Sequence, residues 1–110
     1  MHCSLCSKQR AWFVFVQADH LRLTAGADAL ADYQWTPSGK PHAFLHYQFC
    51  ATCGVRVFAR GAEGPKGGPF YAVAVASLDD ANADELAVSI KYVDGGYDRY
   101  DRRPGDIRLM

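Results

Sequence analysis

From its first residues the chain breaks into short apolar or alternating runs, each closed by a turn signal. Trp12-Phe13-Val14-Phe15-Val16 is continuous, aromatic and β-branched, the pattern of a strand covered on both faces. Leu21-Arg22-Leu23-Thr24 alternates and stops at Ala25-Gly26. Residues 27–31 suit a single helical turn with Asp28 near its start. Asp32-Tyr33-Gln34-Trp35-Thr36 resumes the alternation and runs into the loop Pro37-Ser38-Gly39-Lys40-Pro41. Residues 42–49 predict a long strand that delivers the chain to Cys50. Residues 55–60 alternate again, so Cys50-Ala51-Thr52-Cys53-Gly54 is expected at the tip between two strands. Residues 61–69 hold four Gly and two Pro. They predict a mobile surface loop, not a phosphate cradle, because no Gly-Lys-Ser/Thr ending follows. Two further strands are predicted over 70–77 and 86–93, parted by a polar turn, with a Gly-, Asp- and Arg-rich tail over 94–110. No repeat and no helix longer than two turns is predicted. The pattern is that of an all-β single domain over residues 1–110.

Composition supports this. At 110 residues and 12.1 kDa the chain has the length of one domain, able to bury about two-thirds of its unfolded surface. Hydrophobic residues make up 49%, enough for a core. Ten of the twelve acids are Asp and two are Glu, a bias towards turns over helix surfaces. Twelve basic residues balance twelve acidic ones, with a pI near 6.9. That removes the positive footprint of a nucleic-acid binder. The longest apolar runs, residues 11–16 and 70–76, are six and seven residues, far short of a membrane span. No secretory leader is visible at the start. The expectation is a cytoplasmic protein with no nucleic-acid and no membrane partner. In that compartment thiols stay reduced, and paired cysteines hold metal more often than they form disulfides.

The four cysteines form two C-x2-C pairs, Cys3/Cys6 and Cys50/Cys53, separated by 43 residues. Two thiolates three positions apart on a tight turn can face one ion at about 2.3 Å, and a second such turn completes a tetrahedron. Zinc suits four thiolates, with iron its main competitor. Gly54, directly after the second pair, supplies the positive φ such a turn needs. The long separation means that the two pairs must meet through the fold. Buried thiols or one disulfide are the plainer alternatives. A thioredoxin-like redox pair is a third, but it expects a βαβ context and a helix after the first cysteine, and neither is predicted.

Several stretches together resemble a known family: Cys3-Ser4-Leu5-Cys6-Ser7-Lys8; Gly26, Leu30 and Tyr33; Phe49-Cys50-Ala51-Thr52-Cys53-Gly54; Val75-Ala76-Ser77-Leu78-Asp79; and Tyr92-Val93-Asp94-Gly95. In that order, over nearly the whole chain, they resemble the glutathione-dependent formaldehyde-activating enzymes. The Phe-Cys-x-x-Cys-Gly element is the most specific. The resemblance implies the Mss4-like architecture, curved antiparallel β-sheets pinned by zinc knuckles. It also implies a carbon–sulfur lyase activity that joins formaldehyde to glutathione as S-hydroxymethylglutathione, or reverses that step.

The chain also departs from the family pattern. An upstream C-x-C hairpin, which in the family shares the structural zinc with the pair matching Cys50 and Cys53, is missing. The family's catalytic C-x-C-x-x-C site has Met1 at its first position, and Cys3 and Cys6 match the second and third. By resemblance Cys3 and Cys6 are therefore catalytic. Either the native start lies upstream of Met1, or a shortened member holds one ion between its two pairs. Four thiolates would make a closed cage, which is structural and not catalytic. His2 as a nitrogen ligand is a further alternative, a solvated terminal His the plainer one.

A glutathione-like thiol brings two carboxylates, and Lys8, Arg10 and Arg56 flank the cysteines as candidate substrate-binding cations. A solvated face is their plain alternative. His42 and His46 share one strand face with Phe44 between them, without a third ligand at a suggestive spacing, and predict surface histidines. Asp79-Asp80 and Asp84-Glu85 lack the ligand spacing of a calcium loop. Asp94, Asp98 and Asp101 interleave with Arg99, Arg102 and Arg103 as a surface ladder. No Gly-x-Ser-x-Gly signature supports hydrolase chemistry. The expectation is a zinc-dependent carbon–sulfur lyase-like protein with Cys3, Cys6, Cys50 and Cys53 as ligands and a glutathione-like thiol as partner. The alternative is a catalytically silent zinc-stabilised β module that binds a small molecule or a protein. A sheet edge left open by the missing hairpin would pair with a second copy, so a homodimer is also expected.

Overall fold

The computed structural model describes residues 4–36, 39, 45–64, 66–93, 101, 103 and 105. Two compact units make up the chain: Phe13–Ser77, and Met1–Trp12 together with Leu78–Met110.

The first unit is one five-stranded antiparallel sheet. Its strands are β1 (Phe13–Gln17), β2 (Leu30–Trp35), β3 (Leu45–Cys50), β4 (Arg56–Gly61) and β5 (Phe70–Ala74), in the order β1-β5-β4-β3-β2. Residues paired across strands lie on the same face, so the register assigns each side chain. One row across the sheet reads Tyr33, Tyr47, Ala59, Ala72, Phe15. Its central members Tyr47, Ala59 and Ala72 are buried. The small alanines leave room for the aromatic side chains beside them. On the opposite face Phe58 is buried against Tyr71, ring centres 5.1 Å apart and nearly perpendicular.

β1 was expected to be covered on both faces, yet it forms a sheet edge and Phe15 is 46% exposed. Among the described residues β1 pairs with one strand, β5. Residues 21–24, expected to be a strand, form none. A single-turn 3-10 helix at Ala18–His20 follows β1 directly. The turn expected at 27–31 is a 3-10 helix at Ala27–Ala29, entered through Gly26 at φ +83°. β5 stops at Ala74, earlier than expected. The Ser77 hydroxyl donates to the Ala74 carbonyl at 2.8 Å and closes a 3-10 turn over Val75–Ser77. Gly61, the last residue of β4, and Gly64, in the loop that follows, lie against the Phe70 ring.

In the second unit α1 covers Ser4–Lys8 and α2 covers Ala83–Ala87. α2 corrects the strand expected over 86–93. The Asn82 side chain accepts from the backbone N–H groups of Asp84 and Glu85 at 3.0 and 3.1 Å, an N-cap that outweighs the alternating pattern beyond it. Residues 88–93 belong to no strand. Arg103 lies over the Tyr92 ring, 5.2 Å from its centre. The expected histidine at 42, the loop at 37–38 and 40–41, and most of the tail ladder lie outside the described residues.

Candidate functional site

The hairpin between β3 and β4 carries the second cysteine pair where the alternation placed it. β3 ends at Cys50, which pairs with Leu30 of β2. The Cys50 N–H donates to the Val55 carbonyl and the Gly54 N–H to the Cys50 carbonyl, both at 2.8 Å. Gly54 takes φ +78° with nothing within 4 Å of where a Cβ would sit; glycine is therefore required by conformation and not by space. Outside the hairpin, the Ala51 N–H donates to the Ala29 carbonyl at 2.8 Å. The tip is thus tied to the 3-10 turn before β2.

Inside this turn the backbone N–H groups of Cys53 and then Thr52 point at the Cys50 sulfur, and with the Cys53 thiol they hold the Cys50 thiol below its ordinary pKa of 9.0. Amide donors aimed at sulfur stabilise a thiolate, the form that binds a metal. Cys50 is half-buried, Cys53 exposed, and neither is in a disulfide. Two thiols in one turn, one with its pKa lowered, supply half of the ligands of a tetrahedral thiolate site.

The first pair is placed differently. Cys6 lies within α1 and is 2% exposed, so it occupies a helix and not the tight turn expected for it. A helix therefore does follow the first cysteine, contrary to expectation, but the sheet is wholly antiparallel and gives no βαβ context. Cys3 lies outside the described residues. Among the described residues, no three His, Cys, Asp or Glu side chains are grouped so as to hold a metal ion.

Of the cations chosen in sequence, Lys8 ends α1 and is exposed, and Arg10 follows it with φ +52°. Arg56 opens β4 beside the cysteine hairpin. Its guanidinium lies 4.8 Å from the Tyr47 ring centre and 5.4 Å from that of Phe13, a cation–π stack on the aromatic face of the sheet. Arg56 is paired with Phe49, so its side chain lies on the Tyr47 face and not on the face that carries Cys50; Cys6, Lys8 and Arg10 belong to the other unit.

A second polar group went unseen in the sequence. On the sheet face opposite Tyr47, His46 Nδ1 stands 2.8 Å from Asp32 Oδ2 and 3.4 Å from the Arg60 guanidinium. Gln34 also donates to Asp32 Oδ2, at 3.1 Å. Desolvation raises the Asp32 pKa, but the hydrogen bonds from His46 and Gln34 and the charges of His46 and Arg60 outweigh it, and the carboxyl stays below its ordinary 3.8. The polar positions of the alternation were the available signal. Register alone joins them across three strands.

The model of the family described as glutathione-dependent formaldehyde-activating enzyme matches residues 1–92. Among solved structures, a crystal structure of a Rhodobacter sphaeroides protein, a Northeast Structural Genomics target, superposes with a TM-score of 0.57 at 27% identity. The match covers 76% of this chain and 70% of that one. A search of curated proteins gives no match.

Proposed function

Because the chain belongs to the glutathione-dependent formaldehyde-activating enzyme family, we propose that it is a zinc-dependent carbon–sulfur lyase acting on a glutathione-like thiol adduct such as S-hydroxymethylglutathione. The observation that carries the reading is the Cys50–Gly54 turn, whose amides face the Cys50 sulfur within a family-matched segment. Cys3, Cys6, Cys50 and Cys53 are the proposed ligands, and Cys3 and Cys6 the catalytic ones. Bound there, zinc would supply Lewis acidity that keeps a substrate sulfur in its thiolate form.

In the forward direction the thiolate forms a bond to the formaldehyde carbon, the C=O π pair moves to oxygen, and the proton lost by the thiol ends on that oxygen. The chain's own part is to bind and orient. Gly54, at φ +78°, lets the turn that carries Cys50 and Cys53 close. Lys8, Arg10 and Arg56 are proposed cations for the substrate's carboxylates, with Arg56 held in place by its aromatic stack. No helix of the described residues is long and apolar enough to cross a membrane; a cytoplasmic location and pairing of two copies at a sheet edge are part of the proposal.

One observation favours a second reading. Cys6 is 2% exposed, which suits a ligand in a closed structural cage more than a site that admits substrate. The chain would then be a catalytically silent zinc-stabilised module. NMR of formaldehyde plus glutathione, with and without the protein, decides between the two. Adduct formation above the spontaneous rate supports the lyase. No acceleration by protein carrying one tightly held zinc leaves the silent module.

A further inference from the structure

The Asp32–His46–Arg60 cluster lies outside the cysteine pairs and takes no part in the chemistry above. All three side chains share one sheet face, on β2, β3 and β4, because His46 is paired with Arg60 on one side and with Gln34 on the other. Cys50 and Gln48 lie on that same face, further along β3. Four residues at ~3.3 Å each put His46 about 13 Å from Cys50 along the strand.

The hydrogen-bond count leaves this cluster with charge to spare. With Asp32 ionised, His46 Nδ1 carries its hydrogen and donates it to Oδ2 at 2.8 Å. That nitrogen then has no lone pair for the Arg60 guanidinium 3.4 Å away. Among the described residues no carboxylate lies within ion-pair distance of Arg60, and its side chain is exposed. On Asp32, His46 and Gln34 both use Oδ2, and Oδ1 accepts nothing from the described residues. An unspent cation and an unspent carboxylate oxygen therefore stand on either side of one fixed imidazole. Asp32 and His46 each keep 32% of their side-chain surface open to solvent.

A ligand of single charge fits such a site poorly: Asp32 opposes an anion and Arg60 opposes a cation. A group with an ammonium and a carboxylate on one carbon satisfies both at once, through charge-assisted hydrogen bonds that are forked at the guanidinium. We propose that Asp32, His46 and Arg60 form a subsite for an α-amino-acid head group, the γ-glutamyl end of the thiol substrate. Arg60 takes the carboxylate, Asp32 Oδ1 takes the ammonium, and His46 is a positioning residue that fixes the distance between them. The assignment of the γ-glutamyl end rests on the lyase reading; the recognition of an amino-acid head does not.

The test uses S-methylglutathione, which keeps the γ-glutamyl head and has no thiol, against the metal-loaded protein. Binding is followed by calorimetry and by NMR of the His46 ring and the backbone amides of β2, β3 and β4. Shifts at Asp32, His46 and Arg60 are expected. R60Q should weaken binding at least tenfold, and R60K should recover part of it. N-acetyl-S-methylglutathione, without the ammonium, should bind at least tenfold more weakly to the native protein and lose much less further in D32N. Equal affinity of R60Q and native protein, or shifts confined to other strands, overturns the proposal. Accelerated adduct formation with an unchanged KM for glutathione in R60Q also overturns it, while leaving the lyase reading in place. Arg60-dependent binding without any acceleration supports the subsite and removes the lyase reading instead.

Discussion

Gly54 and Asp32 show what single residues contribute. At φ +78° Gly54 occupies the left-handed region, which costs a residue with a Cβ about 1–2 kcal/mol. G54A is expected to lose that much in chemical denaturation of the metal-loaded protein. G54A as stable as the native chain would show that the turn relaxes. Asp32 contributes in a pH-dependent way. Its pKa is lower folded than unfolded, so its stabilisation is complete above the ordinary 3.8 and fades as pH falls through the folded value. For a pair this close to solvent the size is about 0.2–1 kcal/mol. D32N should therefore lower stability near neutral pH by that amount and make the acid limb of the stability–pH curve shallower. An identical curve for D32N would show that the His46 contact contributes nothing.

Among the elements, β4 and β5 depend on the absence of a side chain. A Cβ on Gly61 would come within 2.6 Å of Phe70 Cε1 and 2.9 Å of Leu45 Cδ2. G61A is expected to cost about 1–3 kcal/mol through forced displacement of the ring, and G61A combined with F70L should recover part of the loss. Thermal melts of the two variants check this; additive losses would mean that the ring is not the obstacle. The helix α2 illustrates how a cap decides an element. Leu86, Val88 and Ile90 alternate with smaller or polar residues as a strand would, yet Asn82 binds two backbone N–H groups just upstream.

For the whole molecule, the zinc reading makes the strongest claim. Ligation by thiolates contributes folding free energy on the order of 10 kcal/mol, comparable to the entire stability of a small domain. Treatment with a strong chelator is expected to unfold or aggregate the chain. C50S should have the same effect, because one sulfur of the stabilised pair is lost. An unchanged melting curve after metal removal would eliminate the structural role.

The sequence by itself determined the β character, the hairpin tip at Cys50–Gly54 and the family. Those features rest on neighbours in the chain: alternation, turn residues, and a glycine directly after the second cysteine. It also identified the Ala27–Ala29 turn and the span of β2 to within two residues. Tertiary structure decided what depends on pairing. Only strand order made β1 an edge, and only register placed Asp32, His46 and Arg60 around one imidazole. Their separations along the chain, fourteen residues at each step, carry no periodic signal. A cross-strand cluster forms through hydrogen-bonded partners that are distant in sequence, and no local pattern encodes which strand will become a neighbour.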